Sequence, residues 1–122
     1  MPHKILVVDD EYDYLNIAAA ILGSEGYCVL KAATGAEGLR KAVADKPALI
    51  VLDIGLPDIS GLDVNRRLKK EPSTAGIPVL LFTVRSELDL VKKALQEGAA
   101  EYIIKPFDPD RFIRTVKKHL KR

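Results

Sequence analysis

Polar residues that can handle phosphate follow four short apolar runs of this chain. The runs 5–8, 49–52, 79–82 and 102–104 stop at Asp9-Asp10, Asp53, Thr83 and Lys105-Pro106. Short apolar runs separated by longer amphipathic stretches are typical of parallel strands joined by crossover helices, and such sheets bind ligands at the carboxyl ends of their strands. We therefore expect the four polar groups to meet in one site.

The residue types at these four positions suit magnesium and a phosphoryl group. Three carboxylates at one sheet edge repel each other, so a proton or a cation must offset their charge. Mg²⁺ prefers hard oxygen ligands and usually keeps several waters, so two carboxylates, a backbone carbonyl and a phosphate oxygen would complete a site. Lys105 can pair with a phosphoryl group, and the Thr83 hydroxyl can hydrogen-bond one of its oxygens.

Asp53 is the best candidate for a nucleophile. A carboxylate flanked by Mg²⁺ and a lysine can attack phosphorus and form an aspartyl phosphate. Asp53 stands alone after a central apolar run, whereas Asp9 and Asp10 are adjacent and suit metal binding. Taken singly, each residue has an ordinary structural explanation, such as a turn, a strand residue or a solvated edge charge. Their coincidence at successive strand ends favours a single site.

The elements that must position this site alternate throughout the chain. We predict an α/β fold of five strand–helix repeats. The predicted strands are 4–9, 28–33, 48–53, 78–83 and 101–105, and the predicted helices are 11–24, 35–45, 60–71, 86–97 and 109–121. Three strands are almost entirely apolar, as expected where helices cover both faces of a sheet, whereas the second is mixed and is expected at an edge.

Two sequence patterns mark predicted helix starts. Asp108 followed by Pro109 is a strong start for the last helix, because the carboxylate can cap free amides and proline suits the first helical position. Ser86 and Asp89 form a loose capping box for the fourth helix. Both patterns place a helix directly after a strand end.

Length and composition favour one domain over residues 1–122. Apolar residues make up 48% and charged residues 30% of the 122 residues, and no run approaches the length of a membrane span. Without a signal or lipidation pattern, we expect a cytoplasmic protein with no membrane contact. Cys28 is the only cysteine, which excludes an internal disulfide, and we expect it to pack in the second strand. A net charge of +2 gives no argument for direct nucleic-acid binding.

The motifs together resemble the receiver domain of two-component response regulators, the CheY-like family, over essentially the full chain. The matching segments are Val7-Val8-Asp9-Asp10-Glu11, Leu52-Asp53-Ile54-Gly55-Leu56-Pro57 with Gly61, Phe82-Thr83, and Tyr102-Ile103-Ile104-Lys105-Pro106-Phe107. The resemblance implies a flavodoxin-like, doubly wound sheet of five parallel strands in the order 2-1-3-4-5, with five helices. It also implies a cis bond between Lys105 and Pro106.

The resemblance also implies a role for each site residue. These roles are phosphoacceptor for Asp53, direct Mg²⁺ ligand for Asp10, ligand through water for Asp9, further ligand for the Gly55 carbonyl, phosphoryl contacts for Thr83 and Lys105, and aromatic switch for Tyr102. The phosphoryl donor would be a phosphohistidine on a sensor histidine kinase or a histidine phosphotransfer protein. Phosphorylation would shift the face formed by helix four, strand five and helix five, and so control a partner or an output domain.

The implied activity is regulatory rather than metabolic. Such a domain catalyses its own phosphorylation and dephosphorylation but turns over no metabolite. A phosphorylation-dependent homodimer and a fused output domain both remain open. The family usually has a small residue where this chain has Val84, so either its extra methyl groups slow phosphorylation by small donors or neighbouring residues move aside. The resemblance also implies that Gly55 and Arg85 occupy positions that tune hydrolysis of the aspartyl phosphate.

Three alternative functions have less support. A degenerate receiver that acts only as a protein-interaction module would not need the acidic residues, Thr83 and Lys105. A small aspartate-nucleophile phosphatase of the haloacid-dehalogenase type uses an Asp two residues after its nucleophile, and Gly55 stands there. A P-loop nucleotide enzyme is weaker still, because the G-x-x-x-x-G-K-[ST] pattern is missing.

Overall fold

The predicted alternation of strands and helices is present in the computed structural model, which describes residues 2–120. The strands are β1 Lys4–Val8, β2 Cys28–Ala32, β3 Leu49–Asp53, β4 Val79–Thr83 and β5 Glu101–Ile104. The helices are α1 Tyr12–Ser24, α2 Gly35–Asp45, α3 Gly61–Lys70, α4 Leu88–Gln96 and α5 Pro109–Leu120, and a 3₁₀ turn spans Arg85–Glu87. None of the helices within residues 2–120 is long and apolar enough to cross a bilayer.

The five strands form one parallel sheet in the order β2-β1-β3-β4-β5, which confirms the predicted doubly wound topology. The register places Val8 opposite Leu52 and Asp53 opposite Phe82. Neighbouring strands therefore end within a residue or so of one another. The polar residues that follow them are gathered at a single edge of the sheet.

Helices cover both faces of the sheet, so successive strand residues point into two different apolar layers. Ile5 and Val7 face the layer that includes Phe112 of α5, whereas Leu6 and Val8 face the layer beneath α2, α3 and α4. Burying each such side chain contributes about 1.5–3 kcal/mol. The two layers fix β1 and β3 rigidly beneath the polar edge.

Strand β2 lies at an edge of the sheet, as its mixed composition predicted. The expectation that Cys28 packs within it is wrong, because this side chain is exposed. Cys28 is the first residue of the edge strand and pairs with Lys4, which is also exposed.

The helix starts differ from the prediction at one of the two sites. The Arg111 amide donates to Asp108 Oδ2 at 3.2 Å, which confirms the cap of α5. The Ser86 cap is wrong, since no side chain caps α4 at its N-terminus. The chain turns back from β4 through the 3₁₀ turn instead, with the Glu87 amide donating to the Val84 carbonyl at 3.0 Å. This turn delays α4 to Leu88.

Candidate functional site

Three carboxylates meet at the polar edge of the sheet. Asp9 and Asp10 follow β1, and Asp53 is the last residue of β3. One oxygen from each lies within 4.8 Å of the other two. Asp9 is fully buried, Asp53 is 5% exposed and Asp10 is half-buried. The sheet therefore holds a concentration of negative charge that is largely withdrawn from bulk water.

Lys105, directly after β5, is the cation of this cluster and is only 6% exposed. Its Nζ lies 2.8 Å from Asp9 Oδ2, 2.8 Å from Glu11 Oε1 and 3.7 Å from Asp53 Oδ2. The ammonium also lies 4.5 Å from the centre of the Tyr14 ring, within range of a cation–π interaction. Two carboxylates and an aromatic ring thus hold this amine beside Asp53.

The backbone around Lys105 couples β5 to β4. The Lys105 amide donates to the Thr83 carbonyl at 2.7 Å, and the bond between Lys105 and Pro106 is cis, as the resemblance implied. The Thr83 side chain is fully buried, and its hydroxyl donates to the Val84 carbonyl at 3.0 Å. In this state its hydrogen bond goes to the adjacent backbone rather than to a carboxylate.

Burial and like charge perturb the ionisation of Asp53. The pKa of Asp53 is raised to about 7, mainly by burial and to a smaller extent by the charge of Asp9 and a hydrogen bond with Asp10. The Gly55 amide, which donates to Asp53 Oδ1 at 3.1 Å, and the charge of Lys105 act in the opposite direction. In the absence of a further cation, the site therefore holds a proton on Asp53 near neutral pH.

Lys105 remains charged in this environment. Burial of its ammonium favours the neutral form, but the close contacts with the Asp9 and Glu11 carboxylates and the charge of Asp53 outweigh burial. The pKa of Lys105 consequently lies above its ordinary value. One fixed positive charge thus faces the carboxylate cluster and cannot neutralise all of it.

The donor set fits a hard divalent cation. Mg²⁺ takes oxygen ligands, and the three clustered carboxylates supply them. Asp9 Oδ2 is buried and, among residues 2–120, lacks a partner with hydrogen-bond geometry, although it lies within ion-pair distance of Lys105. The Lys105 ammonium offsets part of the negative charge of the cluster, and a divalent cation would offset the rest.

A solvent-open cavity of about 210 Å³ lies above the carboxylates. It is lined by Asp10, Glu11, Asp53, Gly55, Val84, Glu87 and Lys105. The Asp53 carboxylate, the Lys105 ammonium and Gly55 thus line one space that a phosphoryl group can enter. Val84, one of these lining residues, is 41% exposed.

The structure brings together most, but not all, of the residues singled out in the sequence. Asp9, Asp10, Asp53 and Lys105 meet directly. Thr83 lies at the neighbouring strand end but outside the cavity lining, and Tyr102 is half-buried beside a separate cavity of about 290 Å³. That second cavity lies on the β5 and α5 side of the sheet, where Arg85 and Arg111 also line it.

Three residues of the site were missed by reasoning from the sequence. Glu11 was quoted within a motif but given no role, although its position beside two aspartates was a usable signal. Tyr14 lies far from Lys105 in the sequence, so no local pattern indicates that its ring contacts the ammonium. Glu87 carried no signal, because its approach to Gly55 depends on the 3₁₀ turn.

Comparisons with known proteins agree with this geometry. Sporulation initiation phosphotransferase F of Bacillus subtilis (strain 168) is 33% identical over 120 residues, covering 98% of this chain and 95% of that protein. The phosphate regulon transcriptional regulatory protein PhoB of Pseudomonas aeruginosa is 38% identical over 118 residues, covering 97% of this chain but 52% of PhoB. The chain therefore spans about half the length of that relative.

A solved structure and a family model give the same assignment. The response regulator receiver domain protein (CheY-like) from Methanospirillum hungatei JF-1 superposes with a TM-score of 0.92 at 33% identity, covering 98% of this chain and 94% of that one. The family model for the response regulator receiver domain matches residues 5–117. This chain, whose strand ends assemble an acidic pocket beside a buried lysine, belongs to the receiver-domain family of two-component response regulators.

Proposed function

We propose that this receiver domain is a phosphorylation-controlled switch in which Asp53 accepts the phosphoryl group. The donor is a phosphohistidine on a sensor histidine kinase or a histidine phosphotransfer protein. The observation that carries the proposal is the position of Asp53, whose Oδ2 lies 3.7 Å from Lys105 Nζ in a cavity open to solvent. A cation bound beside Asp53 would favour its ionised, nucleophilic form.

Mg²⁺ is the proposed cofactor. Asp10, Asp53 and the Gly55 carbonyl would bind it directly, and Asp9 would bind it through water. When bound, Mg²⁺ supplies the positive charge that offsets the acidic pocket and the oxygens of the transferred group. The buried Asp9 Oδ2 and the clustered carboxylate oxygens support this assignment.

The transfer step is a displacement at phosphorus. An oxygen of Asp53 attacks the phosphorus atom and forms the new P–O bond, while the P–N bond to the donor histidine breaks and its electron pair stays on nitrogen. Lys105 is proposed to pair with a phosphoryl oxygen. Its ammonium is already held near Asp53 by Asp9 and Glu11, so little reorganisation is required.

Thr83 is proposed to couple phosphorylation to the surface. Its hydroxyl donates to the Val84 carbonyl in this state, and a phosphoryl oxygen on Asp53 would compete for that hydrogen bond. Movement of Thr83 would free space for Tyr102, which is only half-buried. The face formed by α4, β5 and α5 would then change. The phosphoryl group need only favour one of two conformations by differential contacts.

The output of the switch is proposed to be a protein interaction. A partner protein, a fused output domain or a phosphorylation-dependent homodimer would recognise the changed face, with no direct nucleic-acid contact by this domain. The relative from Bacillus subtilis is called a phosphotransferase, and the relative from Pseudomonas aeruginosa a transcriptional regulatory protein. This chain covers 95% of the first relative and 52% of the second, so similar proteins include one of about the same length and one about twice as long.

The alternatives have less support from the site. A degenerate interaction module has no use for a buried carboxylate cluster paired with a lysine. A haloacid-dehalogenase-type phosphatase needs an acid–base group where Gly55 stands. The phosphoacceptor role therefore explains more of the geometry than either alternative.

Intact-mass measurement after incubation with Mg²⁺ and acetyl phosphate tests the proposal. The parent is expected to gain the mass of one phosphoryl group, and Asp53→Asn is expected to gain none. Asp58→Asn is the matched control, because Asp58 is an exposed acid that caps α2 through Gly35 and Ala36. It should be phosphorylated like the parent. Equal phosphorylation of Asp53→Asn, or an unmodified parent, would refute the assignment.

A further inference from the structure

The space above Gly55 is filled by a carboxylate from another part of the chain. A Cβ at Gly55 would lie 2.7 Å from Glu87 Oε2 and 3.4 Å from Glu87 Cδ. Gly26 and Gly98 adopt positive φ, but Gly55 does not, so its backbone conformation is open to any residue. Because Gly55 has no side chain, it leaves space that the Glu87 carboxylate occupies.

The chain holds Glu87 in this place from both sides. Glu87 ends the 3₁₀ turn that follows β4, with its amide bonded to the Val84 carbonyl at 3.0 Å, and α4 begins at the next residue. Its half-buried side chain lines the same cavity as Asp53 and Lys105. Within residues 2–120 it forms no salt bridge. A carboxylate without a cationic partner is therefore aimed into the cavity that contains the phosphoacceptor.

We infer that Glu87 positions the water that hydrolyses the aspartyl phosphate and so shortens the lifetime of the phosphorylated state. The inference rests on the proposed function of Asp53. An ionised carboxylate only accepts hydrogen bonds. Glu87 therefore orients the water by accepting a hydrogen bond from it, which leaves a lone pair of the water oxygen free to attack phosphorus. Gly55, with no side chain of its own, leaves that water unobstructed.

The hydrolytic step is balanced with these groups. The water oxygen forms a bond to phosphorus, and the P–O bond to Asp53 breaks and returns its electron pair to the carboxylate. The proton of the attacking water passes to bulk water through the open side of the cavity. Inorganic phosphate leaves through the open side of the cavity.

The half-life of the phosphorylated protein tests the role of Glu87. The parent and variants are phosphorylated with acetyl phosphate and Mg²⁺, the donor is removed by desalting, and the remaining phosphoprotein is followed by intact mass. Glu87→Ala is expected to lengthen the half-life about tenfold, equivalent to about 1.4 kcal/mol in the barrier. Glu87→Gln should fall between the two, because its amide oxygen can still accept a hydrogen bond from a water but lacks the negative charge that strengthens this bond.

Gly55→Ala supplies an independent test from the other side of the contact. Its new Cβ displaces the Glu87 carboxylate, so the half-life should lengthen as it does in Glu87→Ala. The double variant should show little further change, because both substitutions remove the same contact. Asp89→Ala, which removes an exposed acid from the first turn of α4, is the matched control and should keep the parental half-life.

The outcomes separate this inference from the proposed function. A half-life in Glu87→Ala or Glu87→Gln that equals or falls below that of the parent overturns the role of Glu87, the shorter value indicating that the side chain shields the phosphate. Glu87→Gln has nearly the same shape as the parent, so it decides the question even if Glu87→Ala unfolds. Failure of the parent to become phosphorylated overturns the proposed function instead.

Discussion

Replacing Asp53 with Asn should stabilise the metal-free protein at alkaline pH. The folded state raises the pKa of Asp53 from an ordinary value of 3.8 to about 7, mainly by burial. Between these values the folded state binds more protons than the unfolded state, so the free energy of unfolding falls as pH rises. Above about pH 7 the ionised carboxylate imposes its full penalty, and below about pH 4 it imposes none.

The structure sets the size of this effect. The difference of about three units between the unfolded and folded pKa of Asp53 corresponds to about 4 kcal/mol in the free energy of unfolding, at 1.36 kcal/mol per pKa unit. Asn also loses the attraction between the Asp53 carboxylate and Lys105 at 3.7 Å, and the neighbouring charges titrate together with Asp53. We therefore expect a net gain of about 2 kcal/mol at pH 8, which raises the melting temperature by about 8 °C. The Asn carbonyl can still accept the Gly55 amide, so this contact is retained.

Urea unfolding in the presence of a chelator measures the gain at pH 8 and at pH 4.5. Asp53→Asn should be more stable than the parent at pH 8 and close to it at pH 4.5. Asp58→Asn serves as a control, because it is expected to change the free energy of unfolding in the opposite direction. The Gly35 and Ala36 amides hold the pKa of Asp58 below its usual range, so its loss should destabilise the protein at pH 8.

Two results would refute the reasoning about Asp53. The first is an Asp53→Asn variant no more stable than the parent at pH 8, which would mean that burial does not penalise this carboxylate. The second is an equal gain at both pH values, which would assign the effect to packing rather than to charge.

Two further predictions follow from the same cluster. Increasing Mg²⁺ concentration should raise the melting temperature of the parent at pH 8, because Mg²⁺ binds the folded state. Calorimetry should find this rise abolished in Asp10→Asn. Thr83→Ala should leave Asp53 phosphorylatable by intact mass but should weaken the phosphorylation-dependent chemical-shift change of Tyr102 in NMR spectra, and an unchanged response would reject the proposed coupling.

Much of the site could be predicted from the sequence because its parts are local and repetitive. Each apolar run marks a strand, and the residue that ends the run marks the position of the strand end. Parallel strands joined by right-handed crossovers must bring these ends to one edge of the sheet. Asp9, Asp10, Asp53 and Lys105 could therefore be assigned to one place before any contact was known. The cap at Asp108 was predictable for the same reason, since it acts within one turn of helix.

Contacts that depend on the path of a loop or on exposure at a corner were decided only by the tertiary structure. The cap expected at Ser86 was displaced by the 3₁₀ turn, and Cys28, the first residue of the edge strand, proved exposed. Glu87 reaches Gly55, and Tyr14 reaches Lys105, across separations at which local propensity carries no information. The sequence by itself determined which groups gather at the sheet edge, because the short apolar runs that mark the strands, and the order of strands and helices, can be identified from neighbouring residues. Only packing of the complete chain decided which of them touch, since side-chain distances depend on all the layers at once.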